Sequence, residues 1–304
     1  MNSPPHSELK QRIVACMRAA SMEITPSDRE HLPALRSHLA EGSAVYVSHV
    51  PSVTLAQVVK AALAVQGAGF KAIPHIAARR ITYPENLRTA LAELTAGGVE
   101  QVLLVAGDAT HPAGAFDSTL EVLASGILEK SALKGIGVAG YPEGQRGIGP
   151  MLLWNALKMK QAFADRTGIA LHIVTQFGFN GNALRDWEIE LARHDVRLPI
   201  RAGIAGPTPL SKLIKYAMRC GIGASLRTVM RNLSAISGGS ELATTPDQHV
   251  MRLMELPSST RVVAPHFFSF GGVLETARWI ERVVSGDFLV EPAEGRFLIG
   301  AARA

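Results

Sequence analysis

The chain has 304 residues, 47% of them hydrophobic and 19% charged, which is enough apolar material for a large buried core and argues against extensive disorder. Thirty-one Lys and Arg against 26 Asp and Glu leave a formal charge of +5, and no basic run with interleaved aromatics accompanies it, so a nucleic-acid partner is not expected. Cys16 and Cys220 are too few for a disulfide framework, the ten His residues show no HExxH spacing, and no stretch approaches the roughly 18 apolar residues of a membrane span. The expectation is a cytoplasmic protein with reduced thiols, no metal site and no membrane partner.

At the N-terminus, Glu8, Lys10, Arg12 and Arg18 are mixed into Leu9, Ile13, Val14 and Met17 at helical spacing, which predicts a helical extension over residues 1–20. Eight short segments rich in Val and Ile then read as strands: 22–25, 44–48, 72–76, 101–106, 136–141, 170–176, 198–204 and 262–269. Helical periodicity fills the intervals, over 29–39, 55–66, 85–94, 119–129, 152–164, 183–193, from 210 to 219 and beyond, and 273–283. Thr54, the Pro84-Glu85 pair, Gly67 and Gly97-Gly98 sit where helix starts and stops belong. Eight strands alternating with eight helices is the count of a single (β/α)₈ TIM barrel, here spanning 21–290 with no regulatory domain. Residues 220–256 exceed one crossover, contain two helix-like stretches and lack alternating strand material, so they read as an elaborated seventh crossover. Alternation alone leaves a Rossmann sheet open, because strand order is invisible in sequence.

Two glycine-rich stretches carry different weight. Gly135-Ile136-Gly137-Val138-Ala139-Gly140 spells GxGxxG, but its glycines lie inside an apolar strand and not in a turn that opens a helix, so it is not expected to bind a dinucleotide. Residues 144–150 follow Tyr141-Pro142-Glu143 and lead into a helix whose N-terminus suits a phosphate, with a plain flexible loop as the alternative.

Seven motifs stand in order along residues 21–270: Met22-Glu23-Ile24-Thr25-Pro26, Ile73-Pro74-His75-Ile76, Val105-Ala106-Gly107-Asp108, Gly140-Tyr141-Pro142-Glu143, Leu157-Lys158-Met159-Lys160, Val174-Thr175-Gln176-Phe177 and Ala202-Gly203-Ile204. Each is weak alone. Together the sequence resembles the methylenetetrahydrofolate reductase family, flavin-dependent barrel enzymes that interconvert 5,10-methylenetetrahydrofolate and 5-methyltetrahydrofolate. The resemblance implies FAD as cofactor, NADH or NADPH as electron donor and a folate substrate.

Position by position, it makes Glu23 the general acid that protonates N10 of the folate, and burial is expected to raise its pKa for that task. It makes Asp108 the carboxylate that binds the pterin close to the flavin, and Gln176 the amide that orients the folate and nicotinamide rings. Lys212 and Tyr216 fall where the family contacts folate, with Lys212 available to an acidic glutamate tail. Ser48 with its neighbour His49, His75, the Ala106-Gly107-Asp108 turn, Tyr141 and Lys160 map to flavin contacts. As lone residues, Glu23 reads as a surface acid, His75 as a core histidine, Asp108 as a turn residue, Gln176 as a strand end and Lys212 as a solvated lysine. The carboxylates of Glu23 and Asp108 and the amide of Gln176 are expected to share one pocket at the barrel's rim.

Departures from the family pattern concentrate on the flavin. Ala106 and Met159 replace arginines, Gln145 stands near a lost histidine and Phe116 replaces a tyrosine, while Arg146 offers one charge to a diphosphate. A flavin bound in altered fashion is the first expectation. A flavin-free reductase with direct hydride transfer from the nicotinamide is the second, a different flavin or methyl-folate barrel enzyme is a further enzymatic rival, and a folate-binding protein without turnover is the non-enzymatic one. Homo-oligomerisation through outer helices is left open.

Overall fold

The computed structural model describes residues 6–178, 182–219, 243–244 and 246–300. Eight parallel strands close into a barrel: β1 (Ser21–Ile24), β2 (Ala44–Val47), β3 (Lys71–Ala77), β4 (Gln101–Val105), β5 (Gly135–Gly140), β6 (Ala170–Thr175), β7 (Ile200–Ala205) and Val262–Phe268. The last strand pairs with β7 on one side and with β1 on the other, which seals the sheet. Closure excludes the Rossmann alternative, since an open doubly wound sheet keeps two edges.

Why these segments form a barrel follows from their two-residue period. Outward residues such as Val45, Val47, Ile76, Val102, Leu104, Ile136 and Val138 are buried under the helical ring, while inward residues fill the lumen. Tyr46, Ile73, Leu103 and Val174 form an apolar plug inside. The GxGxxG run is strand β5 itself, as expected. A Cβ on Gly137 would lie 2.8 Å from Leu103 and 2.9 Å from the His172 ring, so this glycine makes room inside the barrel for its neighbours' side chains.

Several expectations about elements need correction. In place of a helix over 29–39 the chain makes a 3₁₀ turn, Pro26–His31, and one short helix, Leu32–Leu35, because prolines at 26 and 33 restart the chain. The expected helix 119–129 ends at Ala124, with Gly126 at φ 69° just beyond. The seventh crossover does contain strand material, a two-residue ribbon in which Thr208–Pro209 pairs antiparallel with Ala243–Thr244. It also supplies the helix Asp247–Met254, while residues 220–242, including Cys220, lie outside the described residues.

The boundary at residue 290 cuts through a hairpin that the sequence reading did not foresee, Phe288–Glu291 against Arg296–Ile299. Phe288 and Phe297 pack at 4.7 Å, and Phe297 lies 5.7 Å from Trp279 of the helix Val273–Val284. The N-terminal helix His6–Arg18 docks here through buried Leu9, Ile13 and Met17, and Lys10 Nζ donates to the Phe288 carbonyl at 2.9 Å. On that helix the Cys16 thiol is pushed up to about 11 by burial. Among the described residues no helix is long and apolar enough to cross a membrane.

Within the sheet the tightest position is Gly203 in β7. A Cβ there would lie 2.2 Å from the backbone carbonyl of Thr175 and 2.8 Å from the Phe268 ring, and neither strand can retreat without opening the sheet. Gly203→Ala should therefore cost roughly 1–3 kcal/mol, the usual range for overpacking. Urea titration checks it, and an unchanged midpoint would show that the sheet yields there.

Candidate active site

Alternation along the strands places a set of polar side chains inside the barrel. Ser21 and Glu23 lie two apart on β1, Tyr46 is on β2 with Ser48 just beyond it, His75 is on β3, His172 on β6, Arg201 on β7 and His266 on the eighth strand. Ser21 and His266 are partners in register, which sets the His266 ring beside the β1 side chains.

Contacts join these groups into a chain. Arg201 Nη1 donates to Ser21 Oγ at 3.3 Å and to the Ala19 carbonyl at 3.0 Å, and Ser21 Oγ lies 2.9 Å from His266 Nδ1. Glu23 Oε2 then lies 3.6 Å from His266 Nε2 and 3.5 Å from His75 Nε2. The Ser48 hydroxyl donates to Glu23 Oε1, and Ser269 Oγ donates to the Glu23 carbonyl at 2.7 Å. Glu23 Oε2 and the two Nε2 atoms are buried and have no hydrogen-bond partner. Three orphaned polar atoms therefore converge on one spot, an arrangement that costs desolvation and is held by its surroundings.

Protonation follows from this packing. Burial alone would raise the Glu23 carboxyl, but the imidazoles of His75 and His266 packed against it and the Ser48 hydroxyl outweigh it and hold the group below its ordinary value. The expected elevation of Glu23 is thus reversed, because the carboxylate is surrounded by donors and not by an apolar pocket. Burial pushes His75 and His266 down, toward the neutral form. Burial likewise lowers His172 to about 4, and its Nε2 shares a hydrogen bond with the Tyr46 hydroxyl at 2.9 Å.

The remaining residues expected at the site are dispersed around the rim. Asp108 follows β4 but pairs with Arg80 Nη2 at 2.5 Å and is 56% exposed. Gln176 follows β6 and lines a small apolar cavity with Tyr141, Glu143, Phe177, Gly203 and His249. Neither Glu23 nor Asp108 lines that cavity. The single pocket expected for Glu23, Asp108 and Gln176 is therefore corrected: all three lie at the C-terminal ends of strands, but Arg80 draws the second away and the first faces inward.

Lys212 is exposed and Tyr216 packs on Phe270 at 4.6 Å. Phe270 meets Phe177 at 4.9 Å, and Phe268 lies 4.9 Å from His266, so an aromatic wall runs from the imidazoles to the Gln176 cavity. Sequence reasoning missed His266, His172, Tyr46, Arg201 and this wall. The available signal was parity: His172, Arg201 and His266 are polar residues at inward positions of otherwise apolar strands.

The residues implied for a flavin do not fit one. Ser48 and His75 are committed to Glu23, and His49 is buried, accepting from the Ala77 N–H at 3.4 Å, with its pKa lowered to about 4 by burial and by Arg80. The Ala106 carbonyl accepts from the Arg79 N–H at 3.0 Å, Gly107 turns at φ 93°, and Asp108 is paired. Lys160, expected at the diphosphate, is buried on the inner face of the helix Pro150–Thr167, where desolvation lowers it to about 8. That helix presents Met151, Leu152 and Met159 to the outside with Lys158 among them, and Arg146 is exposed on the preceding loop. A diphosphate there would lie against methionine and leucine side chains and would not reach Lys160, the cation expected to hold it. Among the described residues no cluster of three or more His, Cys, Asp or Glu is arranged for a metal ion.

No family model matches the chain. Among solved structures it is similar to oxaloacetate acetylhydrolase bound to 3,3-difluorooxalacetate, at 10% identity and TM-score 0.47 over 89% of this chain and 82% of that one. It is similar to a protein assigned as a deoxyribose-phosphate aldolase from Toxoplasma gondii ME49, at 8% identity and TM-score 0.46 over 92% and 98%. A third, assigned as a phosphonomutase from Burkholderia cenocepacia J2315, shares 11% identity at TM-score 0.42 over 76% and 98%. Likeness this distant says nothing of chemistry, and the barrel rests on its own strand pairing.

Five buried imidazoles, those of His49, His75, His172, His249 and His266, are held below their ordinary value of 6.5. Below pH 6.5 the unfolded chain takes up protons that the folded chain refuses, so stability falls as pH drops from there toward about 4, where His49 and His172 protonate. Each contributes a slope of up to about 1.4 kcal/mol per pH unit. Urea midpoints should drop between pH 7 and pH 5, and a midpoint that holds or rises would contradict this account of the lumen.

Proposed function

We propose that the chain is an oxidoreductase of the methylenetetrahydrofolate reductase kind, which reduces 5,10-methylenetetrahydrofolate to 5-methyltetrahydrofolate with hydride taken directly from NADH or NADPH. The observation that supports it is the Ser21–His266–Glu23–His75 cluster, a carboxylate fixed between two imidazoles where the strands of the barrel end.

The reaction needs one proton and one hydride. The N10–methylene bond breaks with its electron pair passing to N10, which takes a proton; the N5 iminium so formed accepts hydride on carbon, and the nicotinamide leaves oxidised. Glu23 delivers the proton. Its resting ionisation is compatible with that role because a ring laid over the mouth removes water and shifts the carboxyl upward, so that Glu23 takes up a proton from solvent as substrate binds, with His75 and His266 at 3.5 and 3.6 Å holding it in place. His266 is held in place by Ser21, and Ser48 fixes the other carboxylate oxygen.

Flat rings suit the wall of Phe177, Tyr216, Phe268 and Phe270, which offers faces and edges for stacking. Gln176 and Tyr141 supply an amide and a hydroxyl to the polar edges of a pterin or nicotinamide. Asp108, held by Arg80 at the rim, accepts from pterin amino groups, and exposed Lys212 meets the folate's carboxylate tail. A folate binder without turnover has no use for a buried carboxylate whose desolvation weakens the fold.

Purified protein is expected to be colourless in the visible and to oxidise NADH or NADPH only when methylene-folate is present. Glu23→Gln should retain folate affinity within several-fold and lose about two to four orders of magnitude in turnover. A yellow protein bleached by methyl-folate would restore the flavin route, folate binding with no nicotinamide oxidation would leave a binding protein, and near-normal turnover in the variant would remove Glu23 from the chemistry.

A further inference from the structure

The helix Pro150–Thr167 buries Leu157, Lys160, Gln161 and Phe163 against the barrel, yet its opposite face exposes large apolar side chains beside Asn155 and Lys158. Met151 is 61% exposed, Leu152 65% and Met159 56%, and Ile148, just ahead of the helix, is 44% exposed. They are four of the eight large hydrophobic side chains left exposed among the described residues. Scattered singly, exposed apolar side chains need no explanation, but a contiguous patch marks an interaction site, and a helix apolar on both faces is ordinarily covered on both.

We infer that this face is the contact between two copies of the chain, packed antiparallel across a two-fold axis at Asn155. At its centre the stripe reads the same in both directions from that residue. Met151 and Met159 stand four residues to either side, while Leu152 and the exposed Lys158 stand three. Offsets of four keep Met151, Asn155 and Met159 on one side of the helix, with Ile148 on the loop ahead of it. An isologous interface requires a surface that complements itself, and antiparallel packing about Asn155 lays Met151 of each copy on Met159 of the other. The two Asn155 amides then meet at the axis, where each supplies a donor and an acceptor to its twin. Leu152 fills the flank, and the opposed helix dipoles favour the arrangement.

The area is adequate for such a core. The four side chains expose roughly 400 Å² of apolar surface, on the scale of the largest patch that a monomer leaves bare. A standard interface buries about 800 Å² per partner, and the homodimeric kind is about 65% apolar, so the patch supplies most of the apolar share. The inference does not depend on the reaction proposed above.

Sedimentation of the full chain at micromolar concentration tests it. The wild type should be a dimer, and Met151→Lys and Met159→Glu should each be monomeric, with dissociation constants raised at least about 100-fold and thermal melts otherwise unchanged. An equimolar mixture of the two variants should form a heterodimer, because the introduced charges then face each other. If a charged variant loses its melt, Met151→Ser and Met159→Ser take its place in the same measurement. A monomeric wild type, a dimer indifferent to both substitutions, or a mixture that stays monomeric would overturn the inference.

Discussion

A carboxylate taken out of water has to be compensated by whatever surrounds it, and in this barrel the compensation comes from strands that are far apart in sequence. Glu23 on β1 is held by Ser48 beyond β2, by His75 on β3 and by His266 on the eighth strand. The His266 contact does not exist until the sheet closes, because the eighth strand reaches β1 only by sealing the ring. Closure thus completes the buried cluster. The cost of burying four titratable groups in the lumen is offset by the apolar packing outside it, where the outward residues of every strand lie under helices.

The lumen is arranged along the barrel axis. Arg201, bound to the carbonyl of Ala19, marks the end nearer the N-terminal helix, and the Tyr46–His172 pair crosses the middle beside the apolar plug. Glu23 and Ser48 stand toward the mouth. Burial lowers every imidazole in this column, so the cluster holds few protons at neutral pH, and those it holds are shared over short distances. The aromatic wall of Phe268, Phe270, Phe177 and Tyr216 links this column to the Gln176 cavity and gives a flat ligand a surface to lie on.

The surface of the helix Pro150–Thr167 illustrates how a single change of face alters a reading. Leu157-Lys158-Met159-Lys160 carries a basic motif in sequence, but the helix turns Lys160 inward and Met159 outward. The cation is thereby desolvated, and the exposed position is apolar. Whether a motif residue meets a ligand depends on its angle around the helix, which a four-residue match does not fix.

Sequence alone determined the alternation of eight strands with helices, since apolar segments separated by helical ones have few ways to bury their faces, and strand pairing then chose the closed barrel over an open sheet. It also determined that the GxGxxG run was strand and that Glu23, His75 and Gln176 stood at strand ends, because strand parity and flanking punctuation are local properties. Tertiary structure decided the rest. It paired Asp108 with Arg80, twenty-eight residues away, brought His266 to Ser21 across 245 residues, and reversed the expected shift of Glu23 by surrounding it with donors. It also folded a C-terminal hairpin onto the N-terminal helix, a contact of residues 278 apart. A pKa and a shared pocket are properties of neighbours in space, and those neighbours came from strands that the sequence orders but cannot place side by side.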